Sequence, residues 1–268
     1  MSAFSSSSCS SDSQHPSSLP PLLPMDHPEF ISTHRGPIDE SNWLIPQRVL
    51  MSAYPGDLKP QVAQQKIETL IQRGINCFVC LQTENELKRF HPYRPLIEKF
   101  QVTSEKVLNH DESYGMIQQE LSCSSSTNPT RSNLGANSNP TNSSTSSSNT
   151  SIIEYLHFPI QDAMIASDTQ VMKFVQQDLI PRIVSNHHCK ILIHCWGGHG
   201  RTGTIASILL SHLYQLNAEE SLQRVAKCHK CRARPRGRAP TTEVQFQQVR
   251  RLCVGSKELQ NQEIDDMA

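Results

Sequence analysis

A cysteine followed by a glycine-rich turn and an arginine is the part of this sequence best suited to chemistry. The stretch KILIHCWGGHGRTGTIAS, residues 190–207, holds Cys195, three glycines within the next five residues, and Arg201. Glycine permits the sharp turn and the positive φ angles that let successive backbone N–H groups point inward. Such a nest, with the positive end of a following helix, binds an anion and favours the thiolate form of a cysteine. The pattern predicts a phosphate-binding loop with Cys195 as nucleophile; the alternative is a strand-to-helix turn with a buried structural cysteine.

The other positions of this loop also receive predicted roles. Arg201 can donate two N–H bonds to the equatorial oxygens of a phosphoryl group. The hydroxyl of Thr202 is expected to bond the Cys195 sulfur and to stabilise it as the leaving group when a phosphoenzyme is hydrolysed. His194 is expected to orient the loop through backbone bonds rather than to act as a base. The predicted phosphate ligands are Trp196, Gly197, Gly198, His199, Gly200 and Arg201.

Strand-like and helix-like stretches alternate on both sides of this loop, which predicts an α/β fold with a central, mostly parallel sheet flanked by helices. Short apolar runs indicate buried strands. Spacing of apolar residues by three and four, with caps such as Ser167 and Gly74, indicates helices. The predicted strands are residues 43–53, 75–81, 152–158 and 190–194. The predicted helices are 61–73, an irregular piece over 91–106, 167–185 with Asp168 in its first turn and a kink at Pro181, 202–216, 218–230 and 242–254.

Composition divides the 268-residue chain into one domain and two segments that cannot bury a core. Residues 1–38 are rich in Ser and Pro, and residues 122–151 are almost all Ser, Asn and Thr, so both are predicted to be disordered. The second is predicted to be an insertion within a phosphatase domain that spans residues 39–256 and is followed by a tail, residues 257–268.

Charge and cysteine usage limit the classes of partner and compartment. The 25 basic and 25 acidic residues give a net charge of zero, which offers no argument for nucleic-acid or membrane binding. No apolar run approaches the roughly 18 residues that span a bilayer. The nine cysteines are scattered, so a reducing compartment fits better than a disulfide scaffold. We therefore expect a soluble intracellular protein, in the cytoplasm or alternatively the nucleus, that acts as a monomer.

The segment HCWGGHGRTG resembles the Cys-x5-Arg signature of the cysteine-dependent protein tyrosine phosphatase superfamily, and most of all its dual-specificity and kinase-associated-phosphatase-like members. The resemblance covers roughly residues 41–254. It implies a protein tyrosine phosphatase-like fold, a cysteinyl-phosphate intermediate, and no metal or other cofactor.

The same resemblance assigns a general acid. The stretch FPIQDAMIAS is similar to the family's acid loop and gives Asp162 the role of protonating the leaving oxygen and later deprotonating the attacking water. An ordinary loop or helix-capping aspartate is the alternative. The sequence departs from the family because it lacks a Trp-Pro-Asp motif and carries Ala166 where relatives often have proline.

Two further residues follow from the resemblance. The stretch APTTEVQFQQV resembles the segment in which relatives carry a glutamine that positions the hydrolytic water, which here is Gln245; a surface glutamine is the alternative. Some relatives protect the nucleophile with a disulfide from the neighbouring strand, for which Cys80 is the candidate and Cys77 lies nearby. The alternative for Cys80 is a small buried apolar residue.

A basic stretch, KCHKCRARPRGR, separates two predicted helices. It could recruit an acidic or multiply phosphorylated substrate, or it could be an ordinary solvated loop. Its Cys228 and Cys231 lack the second pair that a zinc site needs, so no metal site is predicted. Its basic residues are Lys227, Lys230, Arg232, Arg234, Arg236 and Arg238.

The predicted function is hydrolysis of protein phosphomonoesters, phosphotyrosine first and phosphoserine or phosphothreonine as well. A phosphatase of inositol lipids or RNA 5′ ends is one alternative, which the basic stretch favours but the uncharged Trp196 and weakly basic His199 do not. A catalytically silent phospho-binding module is another, which the presence of Cys195, Arg201 and Asp162 disfavours. The sequence does not identify the physiological substrate or the purpose of the insertion and N-terminal segment.

Overall fold

A computed structural model describes residues 19–100 and 152–255. The strands are β1 Ser41–Ile45, β2 Val49–Ser52, β3 Cys77–Cys80, β4 Glu154–His157 and β5 Ile191–His194. The helices before β4 are α1 Phe30–His34, α2 Pro60–Gln72, α3 Glu84–Leu87 and α4, residues 94–100. The helices after β4 are α5 Asp168–Lys173, which continues through a π-helical segment Phe174–Leu179 into α6 Ile180–Ser185, then α7 Gly200–Tyr214, α8 Ala218–Lys230 and α9 Glu243–Leu252.

The five strands form one sheet in the order β1-β2-β5-β3-β4. The pairs of β5 with β2, of β5 with β3 and of β3 with β4 are parallel, and only β1 pairs antiparallel, with β2. The registers align Ser52, His194, Cys80 and His157 in one row across the sheet. The carboxyl ends of four strands therefore meet at a single edge, and the loop after β5 starts at the middle of it. The predicted mostly parallel sheet is confirmed.

Helices cover both faces of the sheet, because successive residues of each strand point to opposite sides. In β5, Ile191 and Ile193 join an apolar cluster with residues of α5 to α9, such as Ile205 and Leu222. Leu192, between them, joins a second cluster with residues of α2 and the segment around Tyr93. This burial on both sides explains why β5 reads as an unbroken apolar run.

Most predicted elements are present, with two differences. Residues 43–53 do not form one strand: the chain turns at Gln47, where φ is +60°, and returns as an antiparallel hairpin of β1 and β2. Pro46, just before the turn, cannot donate a ladder hydrogen bond, which favours a break there. Pro181 does not by itself interrupt the helix after Ser167; it lies in the first turn of α6, directly after the π-helical segment.

The segment before β1 corrects the sequence analysis. Disorder was predicted for residues 1–38, but residues 19–38 pack against the domain: Leu19 and Leu22 contact the main core, and Phe30 is buried. Tyr214 Oη and Arg224 Nη1 each donate a hydrogen bond of 2.8 Å to backbone carbonyls of this segment. A few apolar side chains among the prolines are enough to anchor it.

The remaining predictions of disorder, for residues 1–18 and 122–151, lie outside the described residues, as do the predicted C-terminal tail, residues 257–268, and the end of the predicted helical piece, residues 101–106. Within the two described ranges, no helix combines the length and the apolar character needed to cross a membrane.

Candidate active site

The glycine-rich loop leaves the carboxyl end of β5 and enters α7 at Gly200. Cys195, its first residue, is buried. Gly198 has a φ of +69°, and a Cβ at this position would collide with the backbone of Ser52, at the end of β2. Glycine is therefore required here both for its conformation and for the close approach of a neighbouring strand.

The outer side of the loop is occupied by its own carbonyl oxygens. The carbonyl of Trp196 accepts a hydrogen bond from Tyr54 N at 2.9 Å, and that of His199 accepts from Gly203 N at 2.7 Å. A trans peptide carries its N–H opposite its C=O, so carbonyls held outward direct the N–H groups of the following residues inward. This arrangement is the predicted anion nest, at the N-terminus of α7.

Arg232 holds the two carbonyls between these. Its side chain donates to Gly198 O at 2.7 Å, to Gly197 O at 3.2 Å and to Asn42 Oδ1 at 2.7 Å. The residue is 3% exposed, and burial lowers the pKa of its guanidinium to about 10, so it stays charged at neutral pH. A buried positive charge behind the loop adds to the attraction for a phosphate dianion. The prediction of a solvated or substrate-recruiting loop is thus wrong for Arg232.

Arg201 lies in the first turn of α7 and is 2% exposed. Its Nη1 and Nη2 donate to Glu86 Oε2 and Oε1 at 2.7 and 2.8 Å, a two-pronged pair. Nη1 also donates to Ile160 O at 2.8 Å, and Nη2 to Asp162 Oδ1 at 2.9 Å. The Nε atom is buried without a partner among the described residues, which leaves it as the donor for a phosphoryl oxygen.

Cys195, Arg201, Asp162 and Gln245 line one pocket of about 160 Å³, whereas Trp196, Gly198 and Thr202 are not among its lining residues. Asp162 is exposed at the rim and reaches Arg201 from the segment that follows β4. Gln245 is buried rather than on the surface; its Oε1 accepts from Thr241 N and Thr242 N, at 3.1 and 3.2 Å. The surface alternative for Gln245 is therefore wrong. The lining residues are Asp162, Ala163, Cys195, Gly197, His199, Gly200, Arg201, Thr241 and Gln245.

Thr202 differs from its prediction, whereas the geometry of His194 agrees with its predicted role. Thr202 Oγ1 is buried without a hydrogen-bond partner among the described residues, so no bond joins it to the Cys195 sulfur in this state. His194 Nδ1 lies 3.3 Å from Cys195 O, which agrees with an orienting role, and its Nε2 lies 2.6 Å from Tyr93 Oη. Burial lowers the pKa of His194 to about 3, so its neutral imidazole is too weakly basic to act as an effective general base near pH 7.

The other predicted features fall outside this pocket. Cys80 is a free, fully buried thiol on β3, next to the active-site strand, and burial raises its pKa to about 11. A pKa this high means that it is a thiol, not a thiolate, at neutral pH. Across residues 19–100 and 152–255, no three His, Cys, Asp or Glu side chains converge closely enough to hold a metal ion.

Sequence analysis missed Glu86, Arg232 and Tyr93 as parts of the site. Glu86 follows β3 and is held by a reciprocal cap with Thr83, whose Oγ1 and N both donate to Glu86 Oε2 at 3.0 Å. The signal was available: TENE directly after an apolar strand is a capping box at the edge where the catalytic loop lies. Nothing local distinguished Arg232 from the other arginines of its stretch.

Comparison with known proteins agrees with this geometry. A family model described as "PTP-SAK: Swiss Army Knife protein, DSP-PTPase phosphatase domain" matches residues 136–265. The 197R protein of Invertebrate iridescent virus 6, a tyrosine phosphatase by name, is 33% identical over 78 residues. The match takes in 28% of this chain and 29% of the viral protein, so the chain spans less than a third of that relative.

Solved structures with a similar chain path include three phosphatases. Tk-PTP in its active form gives a TM-score of 0.48 at 20% identity, over 80% of this chain and 95% of that one. Kinase associated phosphatase gives a TM-score of 0.46 at 18% identity, over 76% of this chain and 84% of that one. PTPMT1 in complex with PI(5)P gives a TM-score of 0.48 at 12% identity, over 84% of this chain and 99% of that one. The family model and the Cys-x5-Arg loop make this part of the chain similar to the dual-specificity phosphatase domains of the cysteine-dependent protein tyrosine phosphatase superfamily.

Proposed function

We propose that this protein hydrolyses phosphomonoesters of proteins through a cysteinyl-phosphate intermediate. The observation that carries the proposal is the convergence of Cys195, Arg201 and Asp162 on one pocket beside the N-terminus of α7. Cys195 attacks phosphorus, and Asp162 gives its proton to the leaving oxygen as the P–O bond breaks. Water then attacks the phosphorus of the S–P bond, and Asp162 takes up a proton from that water.

We assign Arg201, with the loop N–H groups of residues 196–201, to the phosphoryl oxygens. We assign Thr202 to stabilising the sulfur as it leaves, which requires its unpartnered hydroxyl to turn towards Cys195 once the phosphoenzyme forms. We assign Gln245 to the attacking water, since it lies beside Gly200, where a Cβ would be 3.1 Å from Gln245 Oε1.

A phosphotyrosyl side chain suits the cleft outside the pocket. This cleft, of about 720 Å³, is walled on one side by Tyr54, Phe90 and Trp196. The ring of Phe90 lies 4.4 Å from that of Tyr54 and 5.2 Å from that of Trp196, centroid to centroid. Such an aromatic wall offers a phenol ring the edge and face contacts that aromatic pairs prefer. Phosphoserine and phosphothreonine reach the same nucleophile with less contact.

An inositol lipid or RNA 5′ end is less favoured, because much of the basic stretch serves the protein itself. Arg232 is buried behind the loop, and Arg234 pairs with Asp39 at 3.2 Å. Arg238 lies over the ring of Phe246 at 4.7 Å. Burial also lowers the pKa of His199, so this loop residue is neutral at pH 7. The cleft therefore has fewer free positive charges than the sequence suggests.

We place this activity in a reducing compartment, the cytoplasm or the nucleus, and assign it to the monomer. The nucleophile must be a free thiol, and the seven cysteines in the described ranges are all free. The described site is complete within one chain, since each proposed role is filled by a residue of that chain.

The test is hydrolysis of p-nitrophenyl phosphate across pH under reducing conditions. We expect no turnover by Cys195→Ser and a partial loss by Asp162→Asn, in which the fall in rate on the basic side disappears. Asp178→Asn, which changes an exposed carboxylate on the π-helical segment, is the matched control and should behave as wild type. A folded wild-type protein that binds vanadate without turnover would instead support the phospho-binding module.

A further inference from the structure

The helix α9, with its N-cap Thr242, contacts the segment that carries Asp162 at four successive positions. The donors are spaced three residues apart, so each is a neighbour of the next on the helix surface. The acceptors follow the loop in the same order. The contacts are Thr242 Oγ1 to Ala163 O at 3.1 Å, Gln245 Nε2 to Met164 O at 3.3 Å, Gln248 Nε2 to Ala166 O at 2.7 Å, and Arg251 Nε to Asp168 Oδ2 at 2.9 Å.

The two middle donors are buried polar side chains. Gln245 and Gln248 are each 1% exposed, and a buried amide is costly unless it is hydrogen-bonded. Gln248 Nε2 also donates to Asp168 Oδ1 at 2.8 Å, but Gln248 Oε1 has no partner among the described residues. Burying the Gln248 amide is therefore unfavourable if the side chain only packs. Its hydrogen bonds to the acid loop compensate for part of this desolvation cost.

The backbone next to the acid is in an unfavourable conformation. Ala163, the residue after Asp162, has a φ of +61°, in the left-handed region that non-glycine residues rarely adopt. Such a conformation is unfavourable and persists only when its surroundings enforce it. The bond from Thr242 to the carbonyl of this same residue is one such enforcement.

We infer that Thr242 and Gln248, together with Gln245, are positioning residues that clasp the acid loop against α9 and hold Asp162 over the pocket before substrate binds. The inference rests on the proposed function and adds to it how the acid is oriented. It also gives the loop a support that does not depend on the family's Trp-Pro-Asp motif or on a proline at position 166.

The clasp should matter in proportion to how much the leaving group needs a proton. As the S–P bond forms and the P–O bond breaks, a phenoxide leaving group must be protonated, whereas a strongly acidic phenol leaves as its anion. Loss of a general acid costs about 10²–10⁴-fold where protonation is needed. A misplaced acid should therefore slow the hydrolysis of a phenyl ester by part of that factor. It should slow the hydrolysis of an ester of a strongly acidic phenol only slightly.

The experiment compares kcat/KM, which reports phosphoenzyme formation and not the later hydrolysis in which Asp162 acts as base, on phenyl phosphate and on 2,4-dinitrophenyl phosphate for wild type, Gln248→Leu, Thr242→Val and Thr242→Ser. We expect Gln248→Leu and Thr242→Val to lose about tenfold or more on phenyl phosphate, as a fraction of the general-acid factor, and less than about twofold on the dinitrophenyl ester. The basic-side fall in the pH–rate profile should weaken with the same variants. Thr242→Ser keeps the hydroxyl and should restore wild-type ratios.

Gln247→Leu is the matched control, because Gln247 is an exposed neighbour whose amide bonds Glu243 of the same helix. Vanadate affinity and the thermal midpoint of each variant report whether the phosphate loop and fold survive; if Gln248→Leu does not fold, Thr242→Val carries the test. Equal losses on both esters, or unchanged ratios, would overturn the clasp. An inactive wild type, or an active Cys195→Ser, would overturn the proposed function instead, so the two failures are distinguishable.

Discussion

The pair between Arg201 and Glu86 gives the strongest quantitative prediction, for the variant Glu86→Ala. Both guanidinium nitrogens of Arg201 bond this carboxylate, and the side chains are 1% and 11% exposed. Removing one partner of a buried pair costs about 3–5 kcal/mol, because the other charge is left without compensation. Arg201 keeps its bonds to Ile160 O and Asp162, so we expect the lower end, about 3 kcal/mol of unfolding free energy.

Activity should fall as well, because Arg201 loses the support that fixes its orientation. Removing a preorganised donor outright costs about 10²–10³-fold in kcat, and a loosened donor should cost less, about ten- to a hundredfold. Urea unfolding and kcat/KM on an aryl phosphate measure the two effects. Glu84→Ala, on the same short helix with an exposed carboxylate, is the control. If Glu86→Ala matched Glu84→Ala in both measurements, the assigned role of the pair would be refuted.

The pH dependence of the effect has a defined sign. Burial by itself raises the pKa of Glu86, but hydrogen bonds from Arg201 and Thr83, with the charge of Arg201, bring it below the usual 4.5. A carboxylate whose pKa is lowered by folding adds stability that is complete above the unfolded value. The stability difference between wild type and Glu86→Ala should therefore shrink as the pH falls below about 4.5.

Three further predictions concern the loop and the buried histidines. Gly198→Ala should abolish both hydrolysis and vanadate binding, since the added Cβ meets a neighbouring backbone; retention of vanadate binding would count against the loop geometry. Arg232→Met should weaken vanadate binding by about tenfold or more and lower stability, whereas Arg236→Met, at the cleft rim, should leave stability unchanged; calorimetry and urea unfolding distinguish them. Folding keeps His194 and His229 neutral by burial, with pKa values of about 3. Because the unfolded chain protonates them near 6.5, stability should fall as pH drops from 6.5 towards 3, by up to about 1.4 kcal/mol per pH unit for each, and a flat urea profile there would contradict this.

The sequence was sufficient for the nucleophile loop because every feature of it is local. Cys195, the glycines, Arg201 and the strand before them lie within a dozen residues, and their spacing defines the geometry. Asp162 and Gln245 could be named only through family resemblance, since their approach to the loop depends on how β4 and α9 pack.

The rest of the site could not be predicted because it depends on contacts between distant segments. Glu86 meets Arg201 across 115 positions of the chain, and Arg232 meets Gly198 across 34. A run of arginines gives no local sign of which one is buried, since that is decided by the course of the loop between α8 and α9. The hairpin of β1 and β2 was missed for a different reason: its turn, residues 46–48, is short and lies between two apolar stretches that together resemble a single strand.

The N-terminal segment has a consequence for the chemical durability of the protein. Phe30 packs with Cys228 and Cys231 in a small cluster that Leu23 and Met25 help to cover, and both thiols are buried. A chain shortened to the compositional boundary at residue 39 would lose that cover, whereas one shortened to residue 19 would keep it. The shorter form would expose the thiols of Cys228 and Cys231 to oxidants just before Arg232, the residue that supports the phosphate loop.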